Sequence, residues 1–165
     1  MKQYDVIIMG AGAAGLMCAA QALKRNKSVL ILDKANKAGK KILISGGGRC
    51  NFTNLNIEPQ AFISNNAHFC KSALSRYTQW DFIALLESFQ LTWTEKTLGQ
   101  LFCDQKSSAV LRGLLSECEG ADIELNVETS AIKSEQGYML TTNNGDYQAQ
   151  SLVIATGGPS IPKMG

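Results

Sequence analysis

The stretch from Tyr4 to Lys34, YDVIIMGAGAAGLMCAAQALKRNKSVLILDK, decides the fold of this 165-residue chain. Its first seven residues are rich in β-branched apolar side chains and end at Gly10, a pattern typical of a strand buried on both faces of a parallel sheet. Residues 13–26 are rich in Ala and Leu and end in basic residues, so they predict a helix. Residues 28–34 predict a second buried strand. This order indicates an α/β fold.

The turn between the first strand and the helix reads GAGAAG, with glycines at Gly10, Gly12 and Gly15. Gly10 permits a tight turn, Gly12 lets backbone amides approach a pyrophosphate, and Gly15 lets the helix pack closely against the strand. The helix amino terminus attracts phosphate charge, and Asp33, about 20 residues further on, can accept hydrogen bonds from ribose hydroxyls. The glycine spacing alone is weak evidence for a ligand. Its position between a strand and a helix favours a dinucleotide site over a glycine turn without a ligand.

A second glycine cluster, Gly46–Gly48, lies in residues 39–54, GKKILISGGGRCNFTN. Adjacent glycines cost folding entropy, so this turn needs either positive φ angles or the close approach of a large group. A nicotinamide dehydrogenase has no standard need for it, whereas the tricyclic flavin ring needs backbone clearance beyond the pyrophosphate. The cluster therefore favours FAD over NAD. Lys40 and Lys41 are either cations that balance phosphate charge or solvated loop residues.

The middle of the chain mixes helix and hairpin patterns. Helical spacing covers residues 77–89 and 107–118, whereas residues 91–96 and 99–103 predict a short hairpin. No linker or domain boundary is evident.

The last third of the chain predicts strands. Residues 121–126 predict a third parallel strand, and turn signals separate three alternating stretches over 130–150 that predict an antiparallel meander. Residues 151–158, SLVIATGG, predict a further buried strand.

The composition excludes several kinds of site. A net charge of +2 with scattered charges gives no indication of a nucleic-acid surface, and the apolar runs are too short or too glycine-rich to span a membrane. Five cysteines without CxxC spacing, and no leader sequence, favour a reducing cytoplasm. With one histidine and dispersed cysteines, an ordinary zinc site cannot be assembled. Cys50, beside Arg49, is either a redox thiol activated by that charge or a packed residue.

Three segments together resemble the BaiN/YhiN-type family of flavoproteins: DVIIMGAGAAGLMCAA, GKKILISGGGRCNFTN and LVIATGGPSIPKMG. The SGGGRCNFTN string is specific to that family, and the match runs in order along the whole chain. The resemblance implies a Rossmann-like FAD-binding domain of glutathione-reductase type, with a parallel sheet and an inserted antiparallel meander. It also implies that the backbone of residues 155–158 faces the cofactor and that Thr129 lies near the adenine.

Motif and resemblance together predict cofactor-binding residues at both glycine turns, at the end of the second strand, and along the last strands. They are Gly10, Gly12, Ala13, Ala14, Gly15, Asp33, Lys34, Lys40, Ser45, Gly46, Gly47, Gly48, Arg49, Cys50, Asn51, Thr129, Ala155, Thr156, Gly157 and Gly158. No catalytic residue is named, and no metal is expected.

The resemblance implies a flavin-dependent oxidoreductase that moves a hydride or electron pair through FAD to or from a small-molecule substrate. NAD(P)H is a candidate electron donor. Family members are considerably longer, so we expect residues 1–165 to be the amino-terminal part of the FAD domain, without its carboxyl-terminal return or the substrate-side domains, and inactive alone. The family's GRVFP-like segment departs here at Gln100 and Cys103, so no role is carried over to it. Two alternatives remain: a non-catalytic dinucleotide-binding fragment and a plain NAD-dependent dehydrogenase module.

Overall fold

The structure is a computed structural model that describes residues 1–158. The chain divides into two compact units, one formed by residues 1–42 with 114–158 and the other by Leu43–Gly113. The sequence shows no linker at these boundaries because both fall inside helices. The end of the LVIATGGPSIPKMG match, residues 159–165, lies outside the described residues.

Nine strands and five α-helices can be assigned in the described part of the chain. The strands are β1 (Lys2–Met9), β2 (Val29–Asp33), β3 (Asn51–Asn54), β4 (Trp93–Glu95), β5 (Gln100–Cys103), β6 (Asp122–Leu125), β7 (Thr129–Ser134), β8 (Tyr138–Thr142) and β9 (Gly145–Ile154). The helices are α1 (Ala13–Leu23), α2 (Lys40–Ile44), α3 (Lys71–Arg76), α4 (Gln79–Ser88) and α5 (Lys106–Ser116).

The first unit contains a six-stranded sheet in the order β6-β2-β1-β9-β8-β7. Strands β6, β2, β1 and β9 are parallel, and β7, β8 and β9 form an antiparallel meander. The predicted order of strand, helix and strand is confirmed, as are the third parallel strand and the meander. The fold is thus an α/β Rossmann-type domain with a mainly parallel sheet.

Strand β9 corrects one prediction from the sequence. We expected a short meander strand and then a separate buried strand, but Gly145–Ile154 is one continuous strand. Its first half pairs antiparallel with β8, and its length from Tyr147 onward pairs parallel with β1. The polar residues Gln148 and Gln150 interrupt the apolar pattern and suggested a break that the backbone does not make.

The core of the first unit explains why the strands read as continuous apolar runs. Neighbouring residues Ile7 and Ile8 are both fully buried, although their side chains point to opposite faces of the sheet. On one face, Ile7 packs in a cluster with Leu30, Leu140 and Tyr147, so the meander covers this face. Both faces therefore exclude water, and each such side chain contributes roughly 1.5–3 kcal/mol of burial energy.

The second unit is built around a three-stranded antiparallel sheet in the order β3-β5-β4. The predicted hairpin is confirmed as β4 and β5, but β3, directly after the second glycine cluster, was not predicted. Helix α4 begins where the sequence indicates, because the Thr78 hydroxyl accepts from the Asp81 amide and the Asp81 carboxylate accepts from the Thr78 amide. Phe82 of that helix packs near Phe52 of β3, with ring centroids 6.0 Å apart.

Within residues 1–158, no helix combines the length and the apolar character that crossing a membrane requires.

Candidate functional site

The GAGAAG turn lies where the carboxyl ends of β1, β2 and β9 meet. The Gly10 amide donates to Leu32 O at 2.7 Å, and the Ala155 amide donates to Met9 O at 2.8 Å. These bonds bring the turn, the end of β2 and the ATGG segment (residues 155–158) to one edge of the sheet. In open parallel sheets, ligands bind at this edge.

Two glycines of the turn are required by the backbone around them. Gly10 has a φ of +113°, and a Cβ there would lie 2.3 Å from Ala155 O. A Cβ on Gly15 would lie 1.9 Å from Gly10 O and 3.3 Å from a methyl carbon of Ile8. The predicted close packing at Gly15 is thus present, mainly against the turn itself.

Gly12 is different, because nothing in the described residues requires a glycine there. Its φ of −89° and ψ of −171° are accessible to any residue, and a Cβ would meet no heavy atom within 4 Å. Gly12 is the N-cap of α1, and no side chain caps this helix. Ala13 and Ala14, in the first turn, are exposed. A side chain at Gly12 would therefore enter open space beside the amino terminus of α1, where helix amides favour an anionic group.

Asp33, the predicted ribose ligand, also holds the turn in place. One carboxylate oxygen accepts from the Ala11 amide at 2.7 Å, and the other accepts from the Ala35 amide at 2.8 Å. Each carboxylate oxygen has a second lone pair, so a ribose hydroxyl can still donate to Asp33. Lys34, the next residue, is exposed at the end of β2.

Thr129 begins β7 beside the end of β2. The Val127 amide, two residues earlier, donates to Asp33 O at 3.0 Å, and Thr129 pairs with Thr142 of β8. The connection that carries Thr129 is therefore tied to the same strand end as the predicted ribose ligand.

The ATGG segment follows β9 and is mostly exposed. Gly157 has a φ of +79°, and the Lys41 ammonium donates to Gly158 O. Lys40, the neighbouring lysine, is exposed. The first unit thus brings together the predicted residues of the GAGAAG turn, the end of β2, Thr129 and the ATGG segment.

The second glycine cluster forms a tight turn in which all three glycines have positive φ: +55° at Gly46, +66° at Gly47 and +85° at Gly48. The Cys50 amide closes the turn by donating to Ser45 O at 3.0 Å. A Cβ on Gly46 would lie 2.8 Å from Phe102 of β5, whereas one on Gly47 would meet nothing within 4 Å. The positive φ angles favour glycine at all three positions, although Cys50, which follows them, also has a φ of +57°.

The residues after this cluster contact the turn and the strand beside it. The Arg49 guanidinium lies 5.3 Å from the centroid of the Phe102 ring, and its Nε donates weakly to Gly46 O at 3.4 Å. With its amide nitrogen facing the carbonyls, Asn51 donates to Leu101 O and Thr53 O, each at 3.2 Å. These contacts hold the turn against β5.

Cys50 is a buried residue, 5% exposed. Burial raises the pKa of its thiol above the usual value, and a hydrogen bond with Ser45 offsets part of that effect. A raised pKa keeps the sulfur protonated at neutral pH, which favours the packed residue over the activated redox thiol.

Sequence reasoning missed two contributors to these turns. Ala11 joins the turn to the end of β2 through its amide, and its carbonyl accepts from the Gly39 amide at 2.8 Å. Phe102 supports Gly46 from a neighbouring strand. In the strand QLFC, alternation places the Phe102 side chain on the other face of the sheet from those of Leu101 and Cys103. Only the pairing of β3 with β5 identifies what Phe102 contacts. No group of His, Cys, Asp and Glu among residues 1–158 could hold a metal ion.

Comparison with known proteins agrees with the geometry. Residues 4–165 match the family described as HI0933-like protein Rossmann domain. The chain is 49% identical over 168 residues to ribosomal RNA dihydrouridine synthase of Escherichia coli (strain K12), covering all of this chain and 42% of that protein. It is 27% identical over 165 residues to the 3-dehydro-bile acid delta(4,6)-reductase of Clostridium scindens, covering 96% of this chain and 40% of the reductase.

A solved structure with the same fold is the 3-ketosteroid-delta4-(5alpha)-dehydrogenase of Rhodococcus jostii, with a TM-score of 0.64 at 14% identity. The alignment covers 95% of this chain and 46% of the dehydrogenase. The chain thus spans less than half the length of each of these three proteins.

Proposed function

The chain belongs to the HI0933-like Rossmann-domain family, and we propose that it is the FAD-binding part of a flavin-dependent oxidoreductase. The observation that carries this proposal is Gly12, a glycine with an ordinary backbone conformation and open space where its side chain would be. A ligand that approaches the amides of α1 gives this position a reason to be glycine.

The residues of the first unit fit FAD. The amides at the start of α1 would bind the pyrophosphate, the Asp33 carboxylate would accept from the ribose, and Thr129 would lie beside the adenine. When bound, the flavin supplies the site that gains or loses the hydride. The protein residues position the cofactor, and we propose NAD(P)H as the external electron donor.

FAD is favoured over NAD because the segment that contains the second glycine turn resembles a family of flavoproteins. We propose that Gly46–Gly48 form a wall beside the flavin ring. Arg49 and Asn51 would then shape that wall, as their contacts with Gly46 and β5 support. All five cysteines are free thiols, which supports the proposed cytoplasmic location.

For the substrate, we propose a carbon–carbon double bond conjugated to a carbonyl group. The names of the two relatives point to one chemistry, because making dihydrouridine and reducing a double bond in a 3-oxo bile acid each add two hydrogens across such a bond. The E. coli relative is named for an RNA substrate. The composition of this chain gives no reason to expect nucleic-acid binding. Because the relative's name and the composition point in different directions, RNA is tested as one of two substrates.

The first experiment titrates the purified chain with FAD and, separately, with NADH, and follows flavin absorbance and fluorescence for FAD and nicotinamide fluorescence for NADH. We expect weak FAD binding that the Gly12→Val variant loses, and still weaker binding of NADH. Binding of NADH without FAD would support the plain dehydrogenase module instead. Absence of both would refute the proposal.

The second experiment addresses the substrate. The FAD complex is reduced without oxygen and mixed with uridine-containing RNA, with a cyclic enone, or with buffer. Faster flavin reoxidation with one substrate identifies it and would show that the chain is active alone. Reoxidation at the buffer rate with both matches the expectation that residues 1–165 are inactive alone.

A further inference from the structure

The two adjacent lysines before the second glycine cluster have different surroundings. Lys40 is exposed, whereas Lys41 is half-buried. The Lys41 ammonium donates to Gly158 O, and a Cβ on Gly157 would lie 3.5 Å from it. From the sequence, Lys40 was included among the predicted cofactor ligands, but the structure points to its neighbour.

The ATGG segment that Lys41 contacts lies against the proposed nucleotide site. Ala155 is hydrogen-bonded to the end of β1, and its carbonyl oxygen closes the space beside Gly10. Lys41 therefore links α2 to a segment that is itself packed on the GAGAAG turn. All of these residues belong to the first unit.

The charge of Lys41 has no acidic partner in the described part of the chain. Lysines that do form ion pairs there include Lys2, Lys24 and Lys27. An ammonium group has three N–H donors, and Gly158 O takes one of them. The remaining donors and the full charge are available for an anionic group.

We propose that Lys41, and not Lys40, is a cofactor-binding residue of this domain. It fixes the ATGG segment through Gly158 and offers its positive charge to an anionic part of the bound dinucleotide. This inference rests on the proposed binding of FAD. It adds a cation to the contacts proposed above for the first unit, which are the amides at the start of α1, the Asp33 carboxylate and Thr129.

The test compares Lys41→Met with Lys40→Met, a matched pair that removes one charge from adjacent positions. FAD affinity is measured by fluorescence titration of each full-length variant at low and high salt. At low salt we expect Lys41→Met to weaken FAD binding about tenfold, equivalent to ~1.4 kcal/mol. Lys40→Met should remain within about twofold of the parent, since exposed charges are screened.

Salt separates the charge from a merely structural role. If the ammonium attracts the dinucleotide, the difference between Lys41→Met and the parent shrinks at high salt, and Lys41→Arg retains most of the affinity. Unfolding curves in urea identify any variant that fails to fold, in which case Lys41→Arg and the salt dependence of the parent decide. Equal effects of the two Met variants, or a deficit unchanged by salt, would overturn the assignment of Lys41. Failure of the parent itself to bind FAD would instead refute the proposed function.

Discussion

The glycine turn of the first unit and that of the second use the same residue type for different physical reasons. In the first, φ is positive only at Gly10, and backbone atoms enclose two of the three glycines. In the second, φ is positive at all three, and the side chain of Phe102 and the Asn51 amide enclose only Gly46. The first turn is therefore determined by how closely its backbone packs, and the second by its own chain conformation.

The comparison shows which glycines are explained within the described chain. A side chain at Gly12 or at Gly47 would enter open space. At Gly47, the positive φ angle explains why the residue is glycine, whereas the φ angle of Gly12 is negative and gives no such reason. A triplet of glycines in a sequence is thus weaker evidence for a ligand than one glycine with no internal explanation. The predictions below test this distinction.

The largest effect is expected from Gly15→Ala. The added methyl would lie 1.9 Å from Gly10 O, which is backbone and cannot rotate away. We expect the free energy of unfolding to fall by about 3 kcal/mol or more, because overpacking forces the backbone to shift. Urea unfolding followed by circular dichroism measures it. A midpoint equal to that of the parent would show that the turn adapts and that the comparison is wrong.

Gly12→Val should separate binding from folding. The side chain enters open space, so the unfolding midpoint should change little, while the volume proposed for the pyrophosphate is filled. We expect FAD affinity to fall at least about a hundredfold, or ~2.7 kcal/mol. Titration with FAD is the measurement, with the unfolding curve as control. Unchanged affinity would remove the observation that carries the proposed function.

In the second turn, Gly46→Ala and Gly47→Ala form a matched pair. Both force an L-residue into the left-handed region, at a cost of about 1–2 kcal/mol each. Gly46→Ala also brings a methyl to 2.8 Å from Phe102 and from the Asn51 amide, which should add about 1–3 kcal/mol. Urea unfolding of both variants should therefore rank Gly46→Ala as less stable. The reverse order would mean that Phe102 does not support the turn.

The smallest effect is expected from Asp33→Asn. Hydrogen bonds to a carboxylate are stronger than those to a neutral amide. Two backbone amides donate to the Asp33 carboxylate, and we propose that the ribose does so as well. We expect FAD binding to weaken about tenfold, or ~1.4 kcal/mol, with a modest loss of stability. Asp146→Asn, at an exposed position of β9, is the charge control and should match the parent. An Asp33→Asn protein with parental affinity would limit Asp33 to holding the turn.

Local patterns predicted the parts of the fold that depend on neighbouring residues. The first strand, α1 and β2 follow from apolar runs and helix-forming residues that lie next to one another. The positive φ angles at Gly46–Gly48 are one of the two alternatives that the glycine triplet left open. Helix α4 was recognisable because its capping residues are also local. These features need no knowledge of distant pairing.

The features that escaped prediction depend on residues far apart in the sequence. Strand β3 exists because Asn51 pairs with Phe102, and β9 is continuous because β1 supports its polar middle. The hydrogen bond that ties Asp33 to the GAGAAG turn was hidden for the same reason, since its amide partner Ala11 lies 22 positions away. Whether the two glycine turns face one flavin stays a prediction.

Strand β1 lies between β2 and β9, and Lys2 is paired with Tyr147. On the ribosome, β1 emerges long before β9 has been synthesised. At ~5–20 residues per second, the delay is roughly 7–30 s. Throughout that interval one edge of an apolar strand has no partner, and such edges pair readily with other chains. We therefore expect the nascent domain to need a chaperone on β1, or low local crowding of nascent chains, until its own last strand fills that edge.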